Sequence, residues 1–268
     1  MAKNDKGEGQ TGGIQSLDAA LRLLVAMMER RGPVSLSELA RDCRMPPSKV
    51  HRYLASFQHA SLVEQAGRSG KYDLGPGAVT LGLSALARHD FVNRASDALP
   101  DLCTESGLTT LLSVWGNQGA TVIRWERAAS PTVTSMGLGT TLPLLNSATG
   151  RAFLAWAPQA PLQAIRDAEL RHARKNPAIA PDVPADRDID KLVETIRAKG
   201  YASVEGKFIP GLVAIAAPIL DWQGEAQAVV TLIGTDPSVV QPGSEAVKRL
   251  IAFCEDLSFA PMTMADAK

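Results

Sequence analysis

The chain has 268 residues and no net formal charge at pH 7, and 45% of its residues are hydrophobic. These values are typical of a globular protein of one or two domains. The longest uninterrupted apolar run, residues 212–220, is far shorter than the roughly 20 residues that cross a bilayer. The first thirteen residues are polar and glycine-rich, unlike a signal peptide. We therefore expect a disordered amino-terminal tail and a cytoplasmic protein.

Charge is distributed unevenly along the chain. Residues 1–74 hold 11 Lys and Arg against 8 Asp and Glu, whereas the remainder holds 17 against 20. Four of the basic residues lie close together in sequence, at Arg41, Arg44, Lys49 and Arg52. A modest basic patch on one domain is compatible with contacts to nucleic-acid phosphates.

After the tail, the pattern predicts a first helix over about residues 16–30. Apolar side chains at Leu17, Leu21, Leu24 and Met28 fall on one side of such a helix. We expect that side to face the core.

Two further helices are predicted around a proline corner. Ser35 and Glu38 have the spacing of a capping box, in which each residue satisfies a free backbone N–H of the other. Pro46 ends the second helix and Pro47 starts the third, because proline is tolerated at the first helical position. The third helix should run to about residue 59, with an inner side made of Val50, Tyr53, Leu54 and Phe57.

The outer side of the third helix predicts contact with DNA. At about 100° per residue, Ser48 and Arg52 lie opposite the apolar side chains, and Lys49 and His51 lie on the flanks. A recognition helix needs such groove-reaching side chains and a fixed corner before it. Of these, Arg52 is the best candidate for a bidentate contact to guanine, with a phosphate contact as the alternative. A helix pair used only for packing has the same periodicity, so that interpretation also stays open.

A short hairpin follows the third helix. Residues 62–65 and 71–75 read as two strands around the glycine-containing turn "AGRSG". This is the position of the wing in a winged helix-turn-helix, and it would present Arg68 and Lys71 to backbone phosphate.

The rest of the chain alternates between helical and strand patterns. A helix over residues 76–90 is predicted to link two domains, and a second helix follows over about residues 91–106. Strands, then helices, then strands and a closing helix indicate a mixed sheet with helices packed on it, in the α+β class. The predicted strands are residues 108–116, 119–128, 201–206, 212–220 and 225–234.

One helix start in the second half has the chemistry of an anion site. In "NSATGRAFLAWA", the capping residue Ser147 precedes Ala148, Thr149 and Gly150. Free N–H groups and the positive end of the helix dipole favour a carboxylate there. Because every helix needs a start, the spacing alone favours the interpretation that Ser147 merely caps the helix.

Signs of catalysis are absent from the sequence. It has no G-x-S-x-G nucleophile elbow and no phosphate-binding loop, and "GLGTTL" lacks the third glycine of a dinucleotide site. The three cysteines and four histidines are scattered without metal-ligand spacing. We expect no enzymatic activity, no metal and no cofactor.

Several segments, in order, resemble the IclR family of transcriptional regulators. They are "IQSLDAALRLLVAM", "VSLSELARDCRMPPSKVHRYLASF", "LVEQAGRSGKYDLGPGAVTLG", "LPLLNSATGRAFLAW", "IRAKGYASVEGKFIPGLVAIAAPILDWQGE" and "AVVTLIG". The resemblance extends from about Ile14 to Phe259. It implies a winged helix-turn-helix domain that binds operator DNA, and a GAF-like domain that senses a small molecule, often an organic acid. Members of the family usually form homodimers, and often homotetramers that are dimers of dimers.

The resemblance also implies boundaries for the domains. We expect, in order, a disordered tail, a winged helix-turn-helix domain, a linker helix, an effector-binding domain and a carboxy-terminal tail. Their predicted ranges are 1–13, 14–75, 76–90, 91–260 and 261–268.

By the resemblance, the loop and helix start at Ser147, Ala148 and Thr149 hold the effector's carboxylate. The glycine-rich segment that contains Met136 would then be a mobile lid. Four positions where members commonly carry polar side chains are apolar in this chain, namely Leu145, Val204, Ala214 and Ile233. A carboxylate cradle with apolar walls favours an aromatic acid over a small hydroxy- or keto-acid. The other interpretation is that these residues fill the core and leave a smaller cavity or none.

Taken together, the sequence predicts a DNA-binding transcriptional regulator, with repression favoured over activation, controlled by a small organic acid. The alternative is a small-molecule-sensing module whose winged helix docks a protein partner instead of DNA.

Overall fold

The structure is a computed structural model that describes residues 14–30, 32–67, 69–129, 136–176, 182–205 and 209–259. The chain divides into two units between His89 and Asp90. The first unit has one hydrophobic core and the second has two, one on each face of a sheet.

The described part of the first unit consists of helices and one hairpin. They are α1 (Gln15–Met28), α2 (Leu36–Asp42), α3 (Pro47–His59), β1 (Val63–Ala66), β2 (Lys71–Leu74) and α4 (Pro76–Leu86). Helices α1, α2 and α3 pack together and β1 pairs antiparallel with β2. This confirms the predicted winged helix-turn-helix arrangement.

The start of α2 has the predicted capping box. The Ser35 backbone N–H donates to Glu38 Oε2 over 2.9 Å, and the Glu38 N–H donates to Ser35 Oγ over 3.3 Å. At the corner between α2 and α3, Arg44 has a φ of 52°, in the left-handed region that non-glycine residues seldom adopt.

The predicted inner side of α1 is buried only in part, because Leu24 packs against the core of the first unit but the other three residues do not. Leu17, Leu21 and Met28 are each about half exposed, at 52%, 47% and 53%. The core side of α1 is instead made of smaller residues together with Leu23 and Met27. Helix α1 is apolar on two sides, so the leucine spacing identified an apolar stripe without identifying which stripe is buried.

The wing is joined to the segment before α2. Val34 and Tyr72 form an antiparallel bridge, with each backbone N–H donating to the other residue's carbonyl over 2.8 Å. After the wing, the chain returns past Ser61, where a Cβ on Gly75 would lie 2.5 Å from the Ser61 carbonyl oxygen. A side chain therefore does not fit at Gly75.

The second unit is built on a six-stranded antiparallel sheet. Its described helices and strands are α5 (Phe91–Ser106), β3 (Thr109–Gly116), β4 (Gly119–Glu126), β5 (Thr141–Leu142), α6 (Ala148–Trp156), α7 (Gln159–Lys175), α8 (Ile189–Lys199), β6 (Ala202–Glu205), β7 (Val213–Leu220), β8 (Ala226–Gly234) and α9 (Glu245–Leu257). The strand order is β5-β4-β3-β8-β7-β6.

Helices cover both faces of this sheet. Leu99 of α5 and Leu250 of α9 belong to the core on one face, whereas Phe153 of α6 and Ile196 of α8 belong to the core on the other. The predicted α+β class is confirmed. Among the described residues, no helix is both long enough and apolar enough to span a bilayer.

Candidate functional site

Helix α3 has a buried side and a charged, exposed side. Val50 and Leu54 are fully buried in the core of the first unit, and Phe57 is buried beside them. These anchors fix the rotation of α3 about its axis, so the opposite side points away from the core. The charged side of the helix is therefore not used for packing within its own unit.

The predicted DNA-contacting residues on α3 share this exposed side. Ser48, Lys49, His51 and Arg52 are all exposed. The Lys49 ammonium lies 5.7 Å from the centroid of the Tyr53 ring, which is within cation–π range. Ser48, Lys49 and Arg52 also line an open groove between the start of α1 and α3, together with Gln15, Ser16, Tyr53 and Ser56.

On the wing, Lys71 is exposed at the start of β2. Arg68, the other residue predicted for the wing, lies outside the described residues. Arg41 and Arg44, between which α2 ends, are exposed as well. Lys71, Arg41 and Arg44 are thus accessible, although Arg41 Nε also lies 3.6 Å from Asp42 Oδ1.

A cavity lies in the second unit between the start of α6 and the sheet. About 410 Å³ of space, its mouth included, is free of protein atoms. Seven of the eight residues predicted for an effector line it: Met136, Ser147, Ala148, Thr149, Val204, Ala214 and Ile233. None of the lining residues that the structure describes has an ionisable side chain.

Leu145, the eighth predicted residue, does not line the cavity. Its side chain is fully buried in the core on the α6 face of the sheet. Its backbone N–H donates to Glu169 and its carbonyl accepts from Arg151. With both polar backbone groups bonded and the side chain packed, Leu145 presents no group to a ligand.

The predicted lid segment is described from Met136 onwards. Met136 is half-buried and lines the cavity, whereas Leu138 is 68% exposed. The Gly139 N–H donates to the Val122 carbonyl over 2.8 Å, and the Val122 N–H donates to the Thr140 carbonyl over 3.0 Å. This part of the segment is therefore hydrogen-bonded to β4.

The start of α6 is capped, and two of its amides have no hydrogen-bond partner among the residues that the structure describes. Ser147 Oγ accepts from the Gly150 N–H over 2.9 Å and donates to the Pro143 carbonyl over 2.5 Å. The backbone N–H groups of Ala148 and Thr149 are in the first turn, where a helix has no carbonyl for them. Both residues line the cavity, so a ligand there meets the positive end of the helix.

A pair of buried hydroxyls lies at the floor of the cavity. Thr149 Oγ1 and Thr231 Oγ1 are 2.7 Å apart, and both residues are almost completely buried. Two hydroxyls that share one hydrogen bond leave one O–H proton for another acceptor. The cavity thus has mainly apolar walls, and the start of α6 and the two threonines are among its lining residues.

Five further lining residues escape the sequence-based prediction: Leu111, Leu142, Ile209, Leu212 and Thr231. Thr231 leaves a signal, because it is the one polar residue in the apolar run "AVVTLIG". The four apolar residues leave none, since a cavity wall and a filled core have the same composition.

Comparisons with known protein families match both units. Residues 16–67 match the family model described as the IclR helix-turn-helix domain, and residues 83–259 match the model described as bacterial transcriptional regulator IclR C-terminal. The second match alone covers more than half of the chain.

Individual relatives agree with the family models. The chain is 29% identical over 245 residues to the transcriptional repressor IclR of Escherichia coli, covering 89% of this chain and 88% of that protein. It is 29% identical over 262 residues to the HTH-type transcriptional regulator BhcR of Paracoccus denitrificans, covering 97% and 92%. The crystal structure of Pseudomonas aeruginosa HmgR superposes with a TM-score of 0.77 at 33% identity, covering 91% of this chain and 97% of that one.

Proposed function

This chain belongs to the IclR family of bacterial transcriptional regulators, and we propose that it is a repressor that leaves its operator when an organic acid occupies the cavity of the second unit. DNA binding and transcriptional regulation come with the family. Repression is favoured because relatives of similar length, such as the acetate operon repressor of Salmonella typhimurium, are named as repressors. Control by an acid rests on the geometry of the cavity.

The DNA-binding surface is the exposed side of α3. The observation that carries this proposal is that Lys49, His51 and Arg52 are exposed while the opposite side of the same helix is buried. In this orientation the helix can enter a major groove without any rearrangement of its own core. Arg52 would contact guanine or a phosphate, and Ser48 and Lys49, close to the helix start, would hold the backbone.

The wing would add contacts to the DNA backbone. Lys71 is exposed at the start of β2, and Arg68 precedes it by three residues in the sequence. Both are proposed as phosphate contacts, which add affinity but no sequence information.

Exposed apolar side chains support a homodimer. Leu17, Leu21 and Met28 of α1 are half exposed, and Leu81 and Leu83 of α4 are more than 60% exposed. Exposed apolar side chains grouped on a helix are candidates for a protein–protein interface. A two-fold dimer would place two α3 helices on successive turns of a near-palindromic operator, and pairs of dimers would form a tetramer.

The acid would bind with its carboxylate at the start of α6. The amides of Ala148 and Thr149 supply two N–H donors, and the Thr149–Thr231 pair supplies an O–H proton. No cationic side chain is needed, because the helix end carries partial positive charge.

The rest of the ligand would be apolar and aromatic. Val204, Ala214 and Ile233 form hydrocarbon walls, and Met136 closes one side. A small polar acid would leave this hydrocarbon surface unfilled.

The remaining parts of the proposal follow from these roles. The winged helix-turn-helix domain would span residues 14–75, the linker helix 76–90 and the effector domain 91–260, with tails at 1–13 and 261–268. A protein that acts on bacterial chromosomal DNA works in the cytoplasm, and its partners are duplex DNA and the acid, without catalysis or a cofactor.

The DNA proposal is tested by neutralising two residues of α3. DNA fragments that the wild-type protein retains from its own genome serve as the probe in a gel shift. Lys49→Ala combined with Arg52→Ala should abolish the salt-sensitive shift while the unfolding curve stays unchanged, because both side chains are exposed. The matched control is Arg171→Ala with Lys175→Ala, which removes the same charges from exposed positions on α7. Unchanged DNA affinity in the α3 variant would favour a winged helix that docks a protein.

The acid proposal is tested by titration calorimetry of the wild-type protein. Benzoate-type acids should bind more tightly than glyoxylate-type acids. Tighter binding of the small polar acids would refute the aromatic ligand, and no binding of either class would refute the acid site.

A further inference from the structure

The loop before α6 is held by two charged side chains that do not touch the cavity. Glu169, on α7, accepts from the Leu144 N–H through Oε1 over 2.7 Å and from the Leu145 N–H through Oε2 over 2.9 Å. Arg151, on α6, donates through Nε to the Leu145 carbonyl over 2.9 Å. The same short segment is thus bonded on both its donor and its acceptor sides.

Arg151 also joins this loop to two other parts of the second unit. One terminal nitrogen donates to the Ser203 carbonyl over 3.2 Å, and the other donates to the Asp182 carbonyl over 2.9 Å. Ser203 is next to Val204, which forms a cavity wall on β6. The guanidinium therefore ties the loop before α6 to the strand that forms the facing wall.

The side chains of Glu169 and Arg151 are partly removed from water in making these contacts, which costs free energy. Desolvation raises the pKa of Glu169, with the amides of Leu144 and Leu145 acting in the opposite direction, and desolvation lowers the pKa of Arg151. Charged side chains are seldom buried unless their hydrogen bonds are satisfied. Here the partners of both groups are backbone atoms of the loop and of its surroundings, so what the two charges fix is the backbone path.

The packing of the loop leaves little freedom of its own. A Cβ on Gly150 would lie 2.0 Å from the Pro143 carbonyl oxygen, so the loop lies directly against the first turn of α6. Three residues after Leu144, the chain reaches Ser147 and then the free amides of Ala148 and Thr149. Because only two residues separate Leu145 from Ala148, a displacement of the loop also moves these amides.

We infer that Arg151 and Glu169, together called the clamp, are positioning residues for the acid site. They set the direction of the Ala148 and Thr149 amides before the ligand arrives. The inference deepens the proposed acid-binding function and rests on it. Preorganised donors bind an anion more tightly because binding then does not have to supply the free energy of ordering them. The clamp should therefore matter for a carboxylate and hardly at all for a neutral ligand of the same shape.

Two conservative substitutions test the clamp. Glu169→Gln places an amide NH₂, itself a donor, against one of the two loop N–H groups that the carboxylate accepts from. Arg151→Lys leaves one ammonium to serve three backbone carbonyls that lie in separate segments. The matched control is Arg197→Lys. Arg197, on α8, donates through Nε to the Ala155 carbonyl over 2.6 Å, at the carboxy-terminal end of α6.

The first measurement is hydrogen exchange of the ligand-free proteins. Residues 143–150 should exchange faster in both clamp variants and not in Arg197→Lys, while α9 stays unchanged in all three. Unaltered exchange of residues 143–150 in the clamp variants would overturn the inference whether or not the protein binds any acid.

The second measurement compares benzoate with benzamide by titration. Each clamp variant should lose roughly tenfold in benzoate affinity, the factor for about one hydrogen bond to a charged group, and less than about twofold in benzamide affinity. Equal losses for both ligands, or the same benzoate loss in Arg197→Lys, would reduce the clamp to general support of the fold and contradict the inference. Failure of the wild-type protein to bind benzoate or glyoxylate would refute the acid site itself, and the exchange data would then decide on the clamp alone.

Discussion

Replacing Gly150 by alanine should damage the second unit selectively. The added Cβ would lie 2.0 Å from the Pro143 carbonyl oxygen, 2.6 Å from the Leu144 Cα and 2.7 Å from the Leu144 carbonyl oxygen. All three atoms belong to the backbone, so no rotamer change relieves the contact. To reach an ordinary 3.4 Å, the loop has to move by about 1.4 Å, which is enough to break its bonds to Glu169.

The expected size of the effect follows from these contacts. Overpacking and the loss of buried hydrogen bonds together outweigh the gain in helix propensity, and we expect a net destabilisation of about 2–4 kcal/mol. For a unit of this size that corresponds to a fall in melting temperature of roughly 5–15 °C.

Tryptophan fluorescence during urea unfolding is a suitable assay, because Trp115, Trp125, Trp156 and Trp222 are the four tryptophans of the chain and all belong to the second unit. Gly82→Ala in α4 is the matched control. An added Cβ there meets nothing within 4 Å, so the first unit should gain about 0.5–1 kcal/mol and the tryptophan transition should not move. A Gly150→Ala protein as stable as the wild type would show that the loop does not lie against α6 as described.

Four further outcomes are expected. Leu54→Ala should destabilise the first unit by about 2–5 kcal/mol in far-ultraviolet circular dichroism, because Leu54 is fully buried, and Ser35→Ala should cost about 1 kcal/mol through loss of its cap. Lys49→Ala and Arg52→Ala, made singly, should each flatten the plot of log affinity against log salt by about 0.9 for every phosphate contact removed; an unaltered slope would exclude that contact. Burial raises the pKa of Glu169 above its usual 4.5, so the folded protein holds this proton more tightly than the unfolded chain. Stability should therefore fall as the pH rises from 4.5 through the folded pKa, and urea unfolding of Glu169→Gln should lack this component.

Local patterns predicted the parts of the fold that depend on local chemistry. The capping box at Ser35 and Glu38, the proline corner before α3 and the turn of the wing each involve residues within a few positions of one another. The same is true of the rotation of α3, because its Val50, Leu54 and Phe57 stripe is flanked by polar residues on all other sides.

Contacts between distant residues could not be predicted from local patterns. Helix α1 is apolar on two sides, and which side is buried depends on the helices packed against it. The Thr149–Thr231 pair joins residues 82 positions apart, and Glu169 reaches Leu144 across 25. In the sequence, Glu169 is one more acidic residue on an amphipathic helix.

Leu145 illustrates why the resemblance alone was insufficient. The resemblance puts Leu145 in the segment before the helix start, but whether its side chain points to the cavity or to the core depends on the backbone path. That path is set by Glu169 and Arg151.

An acid bound at the start of α6 should change the affinity of α3 for DNA. The most direct test measures binding of the genome-selected DNA fragment at increasing concentrations of the tightest-binding benzoate-type acid. DNA affinity should fall to a plateau, and bound DNA should lower the affinity for the acid by the same factor, as linkage requires. Equal DNA affinity at zero and saturating acid, in a protein that binds the acid, would contradict it.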